Sequence, residues 1–189
     1  MDRGGLAERR RELLAGLCGR VIEVGAGDGL NFAYYPEQVT AVLAVEPEPY
    51  LREIAWRNAE RAAVPIEVVD GLADELPAAD GAFDAAVASQ LLCSVPDQHA
   101  ALGEVHRVVR AGGQLRFLEH VRAGTPGLRR VQRVVDATVW PILFGGCHTG
   151  RDTVAAIEKA GFAIERLDLP DLPIPAPASP YVLGTAHRP

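Results

Sequence analysis

Short apolar runs alternate with amphipathic stretches along this chain. Residues 6–17 place apolar side chains at 6, 7, 13, 14 and 17, the spacing of an amphipathic helix, and Gly16 and Gly19 bracket its end. Residues 20–24 read as a short buried strand running into a glycine loop, and 41–45 as a second strand closed by Glu46 and Pro47. The pattern predicts a helix over 49–61 with proline in its first turn, and strands over 65–69 and 83–88. A helix follows over 98–110, stopped by Gly112 and Gly113, and then a fifth strand over 114–118. Farther on, 126–140 is helix-like, 141–150 a glycine-rich loop, 152–160 a helix ended by Gly161, and 162–167 and 181–186 are strands. Five prolines between 169 and 180 exclude a helix or a central strand there and predict an extended surface connection.

Strands that are apolar throughout and alternate with helices indicate an α/β protein whose parallel sheet is covered on both faces. In such a sheet ligands bind outside the carboxyl ends of the strands, near the point where strand order reverses. The first strand leads there through Val21-Ile-Glu-Val-Gly-Ala-Gly-Asp-Gly29. Its glycines permit positive φ and close approach of a ligand to the backbone. A dinucleotide fingerprint needs glycine where Leu30 stands, so the third glycine comes one residue early. Glu23 before the loop and Asp28 within it would repel a pyrophosphate, and suit a cofactor carrying an ammonium and a sulfonium instead. Glu46, at the end of the second strand, stands where a carboxylate accepts ribose hydroxyls.

Charge and composition narrow the partners. A formal net charge of −6 argues against a nucleic-acid partner. Arg9, Arg10 and Arg11 lie between Glu8 and Glu12, which reads as a solvated helix face. No apolar run reaches the roughly 18 residues of a membrane span, and residues 1–11 carry no signal-peptide core. Cys18, Cys93 and Cys147 show no metal spacing, and an odd count argues against a disulfide framework. The expectation is a cytoplasmic protein with reduced thiols and no metal.

Four motifs in order resemble the class I S-adenosylmethionine (SAM)-dependent methyltransferases of the type 11 branch. They are Glu23-Val-Gly-Ala-Gly-Asp-Gly29, Val45-Glu46, Gly71-Leu-Ala-Asp-Glu-Leu-Pro77 with Asp80-Gly-Ala-Phe-Asp84, and Glu104-Val-His-Arg-Val-Val-Arg-Ala-Gly-Gly113. Ala111 and Ala82 depart from the usual proline and serine. The resemblance implies a Rossmann-like, doubly wound seven-stranded sheet, mostly parallel with an antiparallel last strand. It divides one domain, 1–189, into an N-terminal helix (1–19), a SAM-binding core (20–120) and acceptor-side helices with the last two strands (121–189).

The resemblance also implies roles. Gly25, Ala26, Gly27, Asp28 and Gly29 would hold the methionine part of SAM, with Glu23 and Asn31 near its ammonium. Glu46 and Pro47 would meet the ribose. Leu72 and Ala73 would flank the adenine, although many relatives carry Asp in place of Leu72. Ser89 and Gln90 would lie under the methyl group. A narrower resemblance to the membrane-anchored thiol S-methyltransferases and their soluble bacterial relatives rests on Gly29-Leu-Asn-Phe-Ala-Tyr-Tyr-Pro36, Leu91-Leu-Cys-Ser-Val95, Leu118-Glu-His-Val121, the Gln132, Asp136 and Trp140 helix, and Phe144-Gly-Gly-Cys-His-Thr-Gly-Arg151. The anchor of the membrane-bound members has no counterpart here.

Methyl transfer is an in-line displacement at an activated sulfonium, so alignment supplies most of the catalysis. A base is needed only if the acceptor must lose a proton, and a thiol of pKa about 8.5 needs little help. His120 is the candidate base or thiolate stabiliser. Glu119 beside it points to the opposite face of the strand. Cys147, His148 and Arg151 are candidate acceptor contacts, Trp140, Phe144 and Tyr34 candidate pocket walls, and Cys93 a core residue. The expected activity is methylation of a small, largely apolar acceptor, with a thiol favoured, yielding S-adenosylhomocysteine (SAH). O- or N-methylation of a lipid, quinone or natural product, a non-catalytic SAM-binding protein and an NAD-linked oxidoreductase are the alternatives.

Overall fold

A computed structural model describes residues 6–138, 140–170 and 180–189. Most of the proline-rich stretch expected to be an extended connection lies outside the described residues. Seven strands form one sheet: β1 (Gly19–Val24), β2 (Val39–Val45), β3 (Ile66–Val69), β4 (Phe83–Ser89), β5 (Val109–His120), β6 (Ala163–Asp168) and β7 (Tyr181–His187). Their order is β3-β2-β1-β4-β5-β7-β6. β7 runs antiparallel to both neighbours, β5 and β6, and the other pairings are parallel. The fold class is the one expected, and the antiparallel strand is inserted between β5 and β6 rather than added at the rim.

Side-chain alternation divides the apolar residues into two cores. Val21, Val87, Leu118 and Leu183 face one side with Leu13 and Leu14 of α1 (Leu6–Leu14) and Ala55 of α2 (Pro49–Ala59). Ile22, Ala86, Phe117 and Val182 face the other with Leu102 and Val105 of α3 (Gln98–Val108) and Ile157 of α6 (Thr153–Lys159). α2 and α3 start where their caps dictate. The Glu48 carboxylate accepts from the Leu51 N–H at 2.7 Å, and Asp97 accepts from His99 and Ala100 at 2.8 and 3.0 Å.

Two element boundaries differ from the sequence reading. α3 ends at Val108, because Val109 turns extended and pairs with Phe83 before the strand bulges through Gly112 and resumes its parallel pairing at Gln114. A Cβ at Gly113 would meet the Asp84 carbonyl oxygen at 2.8 Å, so that crossing requires glycine. The helix expected over 126–140 is two: α4 (Pro126–Asp136) and α5 (Trp140–Leu143). Asp136 ends the first by turning its carboxylate onto the N–H groups of Thr149 (2.7 Å) and Gly150 (3.0 Å). Among the described residues no helix is long and apolar enough to cross a membrane.

Candidate active site

β1 lies between β2 and β4, so the strand order reverses there and a crevice opens beyond the carboxyl ends of these strands. The glycine loop leaves β1 folded against β2, with Gly25 and Ala26 donating to the Val45 carbonyl at 2.8 and 3.1 Å. Gly25, Gly27 and Gly29 all have positive φ. Nothing stands within 4 Å of a Cβ built on Gly27, so its backbone is open to the crevice. The buried Glu46 carboxylate accepts from the Gly27 N–H at 2.8 Å and from the Glu48 N–H at 3.0 Å. It joins the two loops that end β1 and β2, with lone pairs left for a ligand.

Two cavities share Gly25, Pro47, Leu91 and Ser94 and form one groove. The part of about 310 Å³ is lined by Glu23, Gly27, Asp28, Asn31, Glu46 and Ser89 among others. The part of about 280 Å³ is lined by Val45, Leu72, Ala73, Asp74, Val95 and Ala101 among others. One end is thus rich in carboxylates and the other is largely apolar. The Ser89 hydroxyl, buried at the first end, has no hydrogen-bond partner among the described residues. This division fits a cofactor with a cationic amino-acid end and a flat base, and disfavours a pyrophosphate. All the residues expected at the cofactor from Glu23 to Gln90 line this groove, except that Gly29 sits one turn behind it against Phe32.

Glu23 is held by partners brought in from other elements. Asn31 donates to one oxygen at 2.7 Å and the Tyr35 hydroxyl to the other at 2.6 Å. The unforeseen 3₁₀ turn Phe32–Tyr34 sets both in place. Arg10 donates to the Asn31 amide oxygen at 2.7 Å. Burial nevertheless pushes the Glu23 carboxyl up to about 7, against the opposing pull of Tyr35, Asn31 and the Arg10 charge. Arg10 also corrects the reading of 9–11 as a solvated face: it is 8% exposed and lines the groove. α1 packs its Arg10, Leu13 and Leu14 side inward, which brings the guanidinium to a buried carboxylate that favours a cation nearby.

The loop after β4 is fixed from below and above. The buried Glu119 carboxylate accepts from the N–H groups of Leu91, Leu92 and Cys93 at 2.9, 3.0 and 3.2 Å. Burial raises its pKa to about 7. Arg151 donates to the Leu92 and Val95 carbonyls at 2.8 and 2.7 Å, and the His148 N–H donates to the Cys93 carbonyl at 2.8 Å. Arg151, expected at the acceptor, is therefore a brace between loops. At the same junction the Cys93 and Cys147 thiols interact, which pushes Cys93 up and Cys147 down.

His120 faces away from Glu119, on the other side of β5. Its Nε2 lies 2.8 Å from the Tyr181 hydroxyl, and the two rings are tilted by 42° with their centroids 4.1 Å apart. Gln90 donates to the same hydroxyl at 2.8 Å. Donation from Gln90 leaves the Tyr181 proton available to His120, and the direction of the Tyr181–His120 bond follows the imidazole tautomer. Gln90 has the one positive φ of a non-glycine residue among those described, 58°. Tyr181, Arg10, Tyr35 and Glu119 all escaped the sequence reading, because each acts across a long sequence separation. Only the polar character of Tyr181 at the start of an otherwise apolar strand hinted at it.

A reversed strand between β5 and β6, a carboxylate-lined glycine loop and Glu46 at the second strand end define the class: this is the Rossmann-like fold of SAM-dependent methyltransferases. A family model described as a methyltransferase domain matches residues 22–117, and the chain belongs to that class I, type 11 family. It is 34% identical over 199 residues to thiol S-methyltransferase TMT1A of Homo sapiens, covering 97% of this chain and 80% of that protein. Thiol S-methyltransferase TMT1B of Mus musculus is 35% identical over 195 residues, with the same coverage of 97% and 80%. Among solved structures, geranyl diphosphate C-methyltransferase from Streptomyces coelicolor A3(2) superposes with a TM-score of 0.75 at 16% identity, covering 98% of this chain and 77% of that one. At that identity the likeness is one of fold.

Proposed function

We propose that this chain methylates a small, largely apolar acceptor with SAM, a thiol before an oxygen or nitrogen nucleophile. The observation that carries the reading is the groove at the β1/β4 reversal, with Glu46 held by the Gly27 and Glu48 amides at its centre. SAM supplies an electrophilic methyl group, and the protein's residues bind, orient and exclude water. Glu23 and Asp28 face the end that would take the amino-acid moiety, Glu46 the ribose, and Leu72 with Ala73 the base. Residues 20–120 would serve the cofactor and 121–189 the acceptor, within one domain. The thiol preference rests on identity to the thiol S-methyltransferases along 97% of the chain.

His120 would hold the Tyr181 hydroxyl and, through it, set the Gln90 amide that reaches the groove toward the acceptor, where its N–H would favour an ionised thiol. Cys147 and His148 would border the acceptor from the glycine-rich loop, whose Gly145 lines the groove. Incubation with labelled SAM and a panel of thiols, phenols and amines tests the reading. Label in a thiol product with stoichiometric SAH supports it. SAH binding without transfer to any member, or transfer to phenols or amines alone, overturns it.

A further inference from the structure

α4 leaves apolar side chains exposed. Its single buried residue is polar: Gln132, which donates to the carbonyls of Val121 and Thr149 and accepts from the Ala123 N–H. Asp136, one turn on, is spent on Thr149 and Gly150. Leu128 and Val135 beside Gln132 are half-buried, while Val131 and Val134, 46% and 64% exposed, stand on the outer part of the helix with the exposed Arg130 and Arg133. The side chains of those two arginines make no hydrogen bond or ion pair among the described residues. α5 contacts α4 and continues the feature. Ile142, Leu143 and Phe144 are 83%, 70% and 52% exposed. Nowhere else among the described residues do three consecutive large apolar side chains stand in water.

Apolar side chains left exposed beside arginines gain nothing from water. We propose that the outer face of α4 and the Ile142–Leu143–Phe144 tip dock on an anionic bilayer surface, the arginines at the headgroups and the apolar tip in the acyl boundary. Charge selects this occupant. The chain is acidic overall, at −6, yet α4 turns its one carboxylate inward and leaves Arg130 and Arg133 outward. A second copy packed symmetrically on this face would gather four arginines into one interface with no outward carboxylate of α4 to pair them. The face also adjoins the groove. Trp140 stacks on Phe144 at 4.0 Å, and the next residue, Gly145, lines the groove. A docked molecule would open its acceptor side toward the lipid, where an apolar acceptor partitions. The proposal stands independently of the methyl-transfer reading.

Co-sedimentation of the full chain with vesicles tests it. Phosphatidylcholine vesicles are compared with phosphatidylcholine–phosphatidylglycerol vesicles, at low and high salt. The chain should sediment with the mixed vesicles, and far less with phosphatidylcholine alone or in high salt. Ile142→Ser with Leu143→Ser should abolish most of the binding. Arg130→Gln and Arg133→Gln should each weaken it about fivefold, the worth of one basic residue at an anionic surface. All variants should keep the wild-type melting temperature. Failure of the wild-type chain to bind mixed vesicles overturns the proposal, as do variants that bind like wild type. So does a wild-type dimer on size-exclusion chromatography that the Ile142/Leu143 variant dissociates, because a second copy would then cover the face.

Discussion

Replacing Glu23 with glutamine should remove a pH dependence that the fold builds into cofactor binding. Burial raises the Glu23 carboxyl to about 7, so near neutrality about half the molecules carry it protonated. The ammonium of SAM or SAH favours the ionised form. Affinity is then reduced by the fraction ionised, which rises from about one tenth at pH 6 to one half at pH 7. SAH should therefore bind about fivefold more tightly at pH 7 than at pH 6, with about half a proton released on binding at pH 7. Above about pH 8 the ligand's own amino group loses its proton, which bounds the useful range. Titration calorimetry in buffers of different ionisation enthalpy reads both quantities. Glu23→Gln keeps the shape of the side chain and removes the titration. It should bind SAH more weakly at pH 7.5 and show a flat profile between pH 6 and pH 7. A flat profile in the wild type, or an equal slope in the variant, would refute the reasoning.

The sign for stability follows from the same carboxyl. Its folded pKa is raised, so the ligand-free protein's stability should be greatest below about pH 4.5 as far as Glu23 is concerned, and should decline as pH rises through about 7, by roughly 3 kcal/mol. Thermal melts of the wild type and Glu23→Gln across that window should converge at low pH and separate at pH 8, with the variant the more stable.

Glu46→Ala removes a carboxylate that accepts from Gly27 and Glu48, and SAH should bind at least about tenfold more weakly to a protein with a native circular dichroism spectrum. Unchanged affinity would remove Glu46 from the site. Glu119→Leu leaves three N–H groups without their acceptor, and urea titration should show a loss of at least about 3 kcal/mol; a loss under 1 kcal/mol would mean that water replaces the carboxylate. Tyr181→Phe breaks the link between Gln90 and His120. If His120 only helps a thiol ionise, both Tyr181→Phe and His120→Ala should be slow at pH 7 and recover most of their rate by about pH 9. A loss of about 10²–10⁴ that pH does not restore would instead assign a general base for a less acidic acceptor. Full activity at every pH would make His120 structural.

The glycine-loop end of the groove was legible in the sequence because it is made of local features. Strand, glycine loop and strand-end carboxylate follow one another within residues 20–47, and their chemistry depends on spacing that a fold of parallel strands preserves. The two-faced sheet was legible for the same reason: apolar strands recur at short intervals, and sterics plus burial leave few ways to stack them. What tertiary structure decided lies at longer range. α1 carries Arg10 back over β1, so a basic run that looked solvated supplies the cation beside Glu23. The insertion of β7 beside β5 places Tyr181 directly opposite His120. Burial of Glu119 turns a strand carboxylate into the acceptor for a loop at residues 91–93. The burial of Gln132 in α4 is invisible to periodicity, which reads 126–140 only as helix-like. Only packing against Val121, Ala123 and Thr149 shows that this polar side chain is inside, because buried backbone groups there need the Gln132 amide more than they need an apolar neighbour.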